Sequence, residues 1–131
     1  MLLGWGMLIP LGVVLAASLR WKDPLWFRLH SLINLSGLVM AVVGFVLAVV
    51  WFDVHGVDTA LGVHRAIGFV VMGLGVAQAS VALCRPHNPE LGEPRSLARV
   101  VWETLHRGLG YIMLAAALVN VFIGILELRM I

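Results

Sequence analysis

Four long apolar stretches constrain this 131-residue chain more than any other feature. A helix needs about 20 residues to cross a hydrocarbon core of about 30 Å, and four segments match that demand: residues 2–19, 25–51, 60–83 and 100–126. The chain is 61% hydrophobic and 12% charged, with a mean hydropathy of +1.00, which excludes an ordinary soluble domain. We therefore predict an all-α integral membrane protein, one domain of residues 1–131 folded as a four-helix transmembrane bundle.

The residues at the segment ends predict how the bundle sits in the membrane. The first and third connections are flanked by basic residues, namely Arg20, Lys22, Arg28, Arg85, Arg95, Arg99 and Arg107. The opposite side has Arg65 and Arg129, and the second connection carries Asp53 and Asp58. Because basic residues concentrate in cytoplasmic loops, we expect both termini outside. Near the segment ends, at positions typical of interfacial anchors, lie Trp5, Trp21, Trp26, Trp51 and Trp102.

The cysteine, charge and motif content of the chain excludes several classes of function. Cys84 is the single cysteine, so neither an internal disulfide nor a cysteine-based metal site is expected within the chain. The net charge of +2 comes from connection residues and does not suggest a nucleic-acid partner. The sequence has no nucleophile with a neighbouring base, no paired carboxylates and no phosphate-binding loop, so hydrolytic chemistry is not expected.

Two of the apolar segments carry a histidine that begins a stripe of mostly small residues at helical spacing. The stripes are His30, Asn34, Gly37, Ala41 and Gly44 in the second segment, and His106, Gly110, Met113, Ala117 and Asn120 in the fourth. Small residues serve close helix packing in membranes, but they can also leave space for a flat ligand. We expect Asn34, Gln78 and Asn120 to form interhelical hydrogen bonds.

His30 and His106 each lie about five residues into their predicted helices, which places both at a depth of about 8 Å. Ionisable residues at such depth are costly and usually mark a function or have a partner. Two histidines at equal depth predict a bis-histidine haem site, with plain helix packing as the alternative. Arg28 and Arg107 could pair haem propionates or serve only as interfacial charges. Asn34, Gly37 and Gly110 are candidate pocket-lining residues.

His64 begins a similar pattern near the outer start of the third segment, followed by Gly68, Val71 and Gly75. It is a candidate ligand of a second site, and an ordinary hydrogen-bonding role is the competing interpretation. His55 and His87 belong to connections, where we expect them to be solvated.

The sequence resembles the cytochrome b561 family, especially the membrane core that follows a DOMON domain in some eukaryotic members. The stretches that carry the resemblance are "GWGMLIPLG" with "DPLWFRLH", then "HRAIGF", and finally "WETLHRGLGYIMLAAALVNVFIG". They cover almost the whole chain in the family's order. The chain departs from the family pattern at Ala17, where a basic residue is usual, and at Arg107, where a second histidine is usual.

The resemblance implies a four-helix core with two haem b groups, one near each membrane face. The ligands of one group carry over to His30 and His106, whereas His64 alone carries over for the other. Because the family's helix-one histidine would precede "GWG", we expect a reduced form with one haem b near the cytoplasmic face. Such a form would fit a bacterial inner membrane.

The resemblance favours an electron carrier or oxidoreductase subunit over a stand-alone enzyme. Its partners would be the lipid bilayer and either the quinone pool or a redox protein, since no basic ascorbate-binding motif is found. Two alternatives remain open: a structural or pigment-binding accessory subunit of a larger membrane complex, and a quinone-reactive oxidoreductase subunit.

Overall fold

A computed structural model describes residues 1–22, 24–54, 62–87 and 93–128, and it is helical nearly throughout. Helix α1 spans Gly4–Ser18, α2 spans Leu25–Val54, α3 spans Gly62–Leu83 and α4 spans Leu97–Leu128. The all-α membrane bundle is therefore confirmed. His55, Asp58 and Arg129, together with the side chain of Asp53, lie outside the described residues.

Three of the helices are long and apolar enough to cross a membrane, and α1 is shorter. At 1.5 Å per residue, Gly4–Ser18 extends over about 22 Å, less than the hydrocarbon thickness of about 30 Å. Helices α2 and α4 extend beyond their predicted bounds, and α4 begins three residues earlier than expected, at Leu97. Segment ends are the least certain part of any prediction from hydropathy, because helices continue into the interfacial region.

The first turns of α1, Gly4–Leu8, are π-helical, and Ile9–Ser18 continues as an α-helix. Pro10 is the second residue after the π turn. A proline inside a helix lacks an amide hydrogen and its ring crowds the carbonyl four residues earlier, so a locally widened turn relieves the conflict. The same turns place Trp5 against the other helices.

The four helices pack as two antiparallel pairs, α1 with α2 and α3 with α4. In the first pair, close approaches join Met1 to Gly44 and Gly12 to Asn34. In the second pair, Gly68 lies beside Asn120. Because neighbouring helices run in opposite directions, α2 and α4 both begin at the same end of the bundle.

Trp5 lies in the core and not at the membrane interface. Its side chain is 3% exposed, and its indole nitrogen lies 3.3 Å from the sulfur of Met72. The prediction of an interfacial anchor is therefore wrong for Trp5, because the π turn directs a ring near the segment end into the bundle. Trp21 and Trp51 are 75% and 60% exposed, as expected for interfacial residues.

The core is small, and a large apolar surface remains on the outside of the bundle. Buried hydrophobic residues form one cluster, composed of Trp5, Ile9, Ala41, Val71, Met72, Met113 and Ala117. Leu, Val, Ile and Phe side chains along all the long helices are exposed. In water such a surface would be unfavourable, whereas in a bilayer it is the surface that contacts lipid.

Candidate functional site

The candidate site lies at the end of the bundle where α2 and α4 begin. His30 lies near the start of α2 and His106 lies in the first third of α4, so both imidazoles are at the same end of the bundle. The antiparallel pairing explains this placement, since it brings the start of α2 and the start of α4 to the same end. Both side chains are partly buried.

A backbone carbonyl of α1 fixes the ring of His30. The Nδ1 atom of His30 lies 3.0 Å from the carbonyl oxygen of Gly12. Because a carbonyl oxygen only accepts, Nδ1 carries the hydrogen and donates it, and the Nε2 atom keeps its lone pair. This is the arrangement usual for a histidine that binds a metal through its other nitrogen.

The Asn34 amide stabilises the same turn of α2. Its nitrogen donates a hydrogen bond of 2.7 Å to the backbone carbonyl of His30 and lies 3.1 Å from the Nδ1 atom. Asn34 therefore forms a hydrogen bond within α2, in place of the interhelical bond that was expected.

His106 is held in a different way, by packing against an aromatic ring. The Trp102 indole stacks on its imidazole with 4.9 Å between ring centroids and 6° between ring planes. The Nδ1 atom of His106 is buried and has no hydrogen-bond partner among the described residues. From α3, the side-chain nitrogen of Gln78 donates to the backbone carbonyl of His106, an interhelical bond of the kind expected for Gln78.

One carboxylate holds three arginines beside His106. Glu103 accepts from Arg99 at 2.8 Å, and from Arg95 and Arg107 at 3.3 Å each. Arg99 is 6% exposed and also donates to the carbonyl of Pro86 at 2.7 Å. Of the two predicted propionate contacts, Arg107 is thus paired with Glu103, and Arg28 lies exposed on α2.

The glycines of the two stripes make close contacts between helices. A Cβ atom at Gly37 would lie 2.9 Å from Ile9 and 3.0 Å from Leu8, both on α1, and one at Gly110 would lie 3.1 Å from the Gln78 side chain. Helix packing therefore accounts for the absence of a side chain at these two positions.

His64 lies at the opposite end of the bundle from His30 and His106. Its Nδ1 atom lies 3.0 Å from the backbone oxygen of Asn120 on α4. A Cβ atom at Gly124 would come within 2.6 Å of the imidazole. The Asn120 side chain is buried, and its Oδ1 atom has no hydrogen-bond partner among the residues that the structure describes.

Three contributors to the site were not predicted from the sequence, namely Gly12, Trp102 and the contact from Gln78 to the backbone of His106. Trp102 could have been found, because it precedes His106 by four residues and such positions are neighbours on a helix. Gly12 had no signal, since it contributes only a backbone carbonyl across a helix interface.

The donor set fits a haem. His30 presents an Nε2 atom with a free lone pair, and the partly buried ring of His106 lies at the same end of the bundle, with no hydrogen-bond partner for its Nδ1 atom among the described residues. Within the described ranges, no group of three histidine, cysteine or acidic side chains could hold a metal ion. Two histidines would suffice to hold an iron already bound by a porphyrin, but not a bare ion.

The fold and this pair of histidines define a class, the multi-pass membrane proteins whose helical bundle presents histidines between helices. The family model described as eukaryotic cytochrome b561 matches residues 1–131. The chain belongs to the cytochrome b561 family, and the implied class is that of membrane b-type cytochromes in electron transfer.

Curated relatives come from Arabidopsis thaliana. One cytochrome b561 and DOMON domain-containing protein is 31% identical over 95% of this chain and 29% of its own length. Another is 30% identical, over 97% of this chain and 30% of its own length. A cytochrome b561, DM13 and DOMON domain-containing protein is 33% identical over 98% of the chain and 14% of its own length. No solved structure gives a significant match.

The chain spans about three tenths of the length of the first two relatives and less of the third. The matching part is thus a membrane core within longer proteins. The relatives are plant proteins, so the expectation of a bacterial membrane has no support from them, whereas the multi-pass membrane location does.

Proposed function

We propose that this chain binds haem b between α2 and α4 through His30 and His106 and carries electrons at that end of the bundle. The observation that carries the proposal is the hydrogen bond from the Nδ1 atom of His30 to the Gly12 carbonyl. This bond fixes the ring plane and leaves the lone pair of the Nε2 atom available to bind a metal. His106 lies on α4 at the same end of the bundle and would supply the second imidazole.

Bound haem supplies a one-electron couple between ferric and ferrous iron. The contribution of the protein is to keep both imidazoles in place in the two oxidation states, so that little reorganisation accompanies the transfer. The Gly12 carbonyl does this for His30, and the Trp102 ring and the helix backbone do it for His106. The burial of the site limits access of water to the ligands.

The basic residues at this end of the bundle support a proposed orientation in the membrane. The described residues there include Arg20, Lys22, Arg28, Arg85, Arg95, Arg99 and Arg107. By the positive-inside rule this end faces the cytoplasm and the termini face outward. The electron partner, a quinone or a redox protein, would then approach the haem from the cytoplasmic side. One haem at this end leaves about half of the hydrocarbon core unbridged.

A reduced-minus-oxidised absorption spectrum of the purified chain, together with a haem-to-protein ratio, tests the proposal. We expect a b-type spectrum that is lost in both His30→Ala and His106→Ala. His87→Ala is the matched control, because His87 is exposed in the connection at the same end of the bundle and its loss should leave the spectrum unchanged.

The His64→Ala variant tests the number of haems. We expect one haem per chain, and His64→Ala should retain it. A ratio of two that falls to one in His64→Ala would show a second haem at the other end. A folded wild-type chain that takes up no haem would overturn the proposal.

A further inference from the structure

The rings of His30 and His106 are held by different kinds of contact. His30 has a hydrogen bond from Nδ1 to a backbone carbonyl, whereas the Nδ1 atom of His106 has no partner among the described residues. A buried imidazole without such a bond can turn about its side-chain torsions unless packing prevents it. The described ring that packs on it face to face is Trp102.

Trp102 is itself fixed by two other contacts. Its indole nitrogen donates a hydrogen bond of 3.0 Å to the carbonyl oxygen of Val81, at the end of α3. The guanidinium carbon of Arg99 lies 5.4 Å from the centre of the ring. Arg99 is immobilised in turn by Glu103 and by the carbonyl of Pro86. A ring anchored in this way can impose its plane on a neighbour.

Stacking and metal binding use different parts of an imidazole. The indole covers the face of the His106 ring, with 6° between the two planes. A metal bond to an imidazole nitrogen lies in the ring plane, along the lone pair. The stack therefore leaves the nitrogen free and restricts the direction in which it points.

We propose that Trp102 is a positioning residue that sets the ring orientation of His106 as a haem ligand. The inference rests on the proposed function. Outer groups that orient a metal-binding histidine typically change metal affinity by ten- to a hundredfold when removed. Trp102 performs this role by stacking, in place of the hydrogen bond that orients His30.

The test compares Trp102→Met, which removes the flat ring, with Trp102→Phe, which retains a ring but lacks the indole N–H. For each purified variant we would measure haem affinity, the electron paramagnetic resonance spectrum of the ferric state and the reduction potential. The resonance line shape reports the relative orientation of the two axial rings, which a merely structural residue would not alter.

We expect Trp102→Met to lose about tenfold in haem affinity, with a broadened ferric resonance and a shifted potential. Trp102→Phe keeps a ring but loses the bond to Val81, so its values should fall between those of the wild type and those of Trp102→Met. Trp21→Met is the control, since Trp21 is an exposed tryptophan that bonds to the backbone of Ser18, and its replacement should change none of the three.

Wild-type affinity and line shape in a folded Trp102→Met would overturn the inference. So would a Trp102→Phe that loses haem as severely as the methionine variant, because the role would then belong to the N–H bond with Val81. If Trp102→Met does not fold, Trp102→Leu, which also removes the flat ring, takes its place in the comparison. A wild type without haem, or a His106→Ala that keeps it, overturns the proposed function instead, whatever the Trp102 variants show.

Discussion

The side-chain amide of Gln78 donates a hydrogen bond to the backbone carbonyl of His106 and so joins α3 to the turn of α4 that carries the histidine. The same amide nitrogen occupies the space beside Gly110, where a Cβ atom would lie 3.1 Å from it. The Gln78 side chain thus contacts both the backbone of His106 and the space beside Gly110, one turn later on α4.

Replacing Gly110 with alanine should push the Gln78 amide away from the His106 carbonyl. We expect a loss of about 1 kcal/mol in stability, the order of an interhelical hydrogen bond in a membrane protein, and a weaker haem affinity. Thermal unfolding in detergent and haem titration measure the two effects. Gly108→Ala is the matched control, because a Cβ atom there meets nothing within 4 Å. Because alanine raises helix propensity at both positions, an equal change in the two variants would show that the contact with Gln78 is not responsible.

Gly12 provides the carbonyl that binds His30, and the Asn34 amide leaves no space there for a side chain. Its oxygen accepts from the Nδ1 atom of His30, and a Cβ atom would collide with the Asn34 amide. Gly12→Ala should separate α1 from α2 at this point, lengthen the bond to His30 and reduce haem affinity by about tenfold.

Haem titration of Gly12→Ala beside Gly6→Ala separates this effect from a general change in α1. Gly6 lies in the same helix, and a Cβ atom there meets nothing within 4 Å. Unchanged affinity in Gly12→Ala would show that the close approach of α1 to α2 at this position is not required for haem binding.

The sequence predicted the bundle and the two histidine stripes because both are encoded in periodicity along single helices. The structure buries Gly37 and Ala41 on α2, and Met113 and Ala117 on α4, as that periodicity requires. Membrane helices are autonomous elements whose length and apolar character are local properties, so their number and order could be derived from the sequence alone.

Contacts between helices were less accessible to prediction. Gly12 contributes a carbonyl, a group present in every residue, and only the register of α1 against α2 places it beside His30. Trp5 was expected at the interface because it lies near the end of its segment. The π turn that directs its ring inward leaves no signal in the sequence. Asn34 was expected to bond across helices, but the carbonyl of His30 in its own helix was nearer.

Trp5 should be the tryptophan whose loss costs most stability. Trp5 is 3% exposed, and its ring lies against Gly75 and Met72 of α3. Replacing it with alanine leaves a cavity at the meeting point of three helices, for which about 3–5 kcal/mol is typical in protein cores. Thermal unfolding of Trp5→Ala and Trp51→Ala would measure the difference, since Trp51 is 60% exposed. Similar melting temperatures for the two would contradict the assignment of Trp5 to the core.

Glu103 is the residue on which the charged cluster beside His106 depends. Arg99 is 6% exposed, and its Nε atom donates to one oxygen of Glu103 at 2.8 Å. In Glu103→Gln the shape is kept, but the buried guanidinium loses its counter-charge, and breaking a buried pair costs about 3–5 kcal/mol.

Arg95→Gln removes a different member of the same cluster. The Arg95 side chain is 65% exposed, and exposed pairs contribute about 0–1 kcal/mol, so we expect little change in thermal stability. Since Arg99 also anchors the ring of Trp102 and the carbonyl of Pro86, Glu103→Gln should in addition broaden the ferric resonance of the haem. A Glu103→Gln protein as stable as Arg95→Gln would mean that the carbonyl of Pro86 alone satisfies Arg99. The ion pairs of Glu103 would then contribute no more to stability than exposed pairs do.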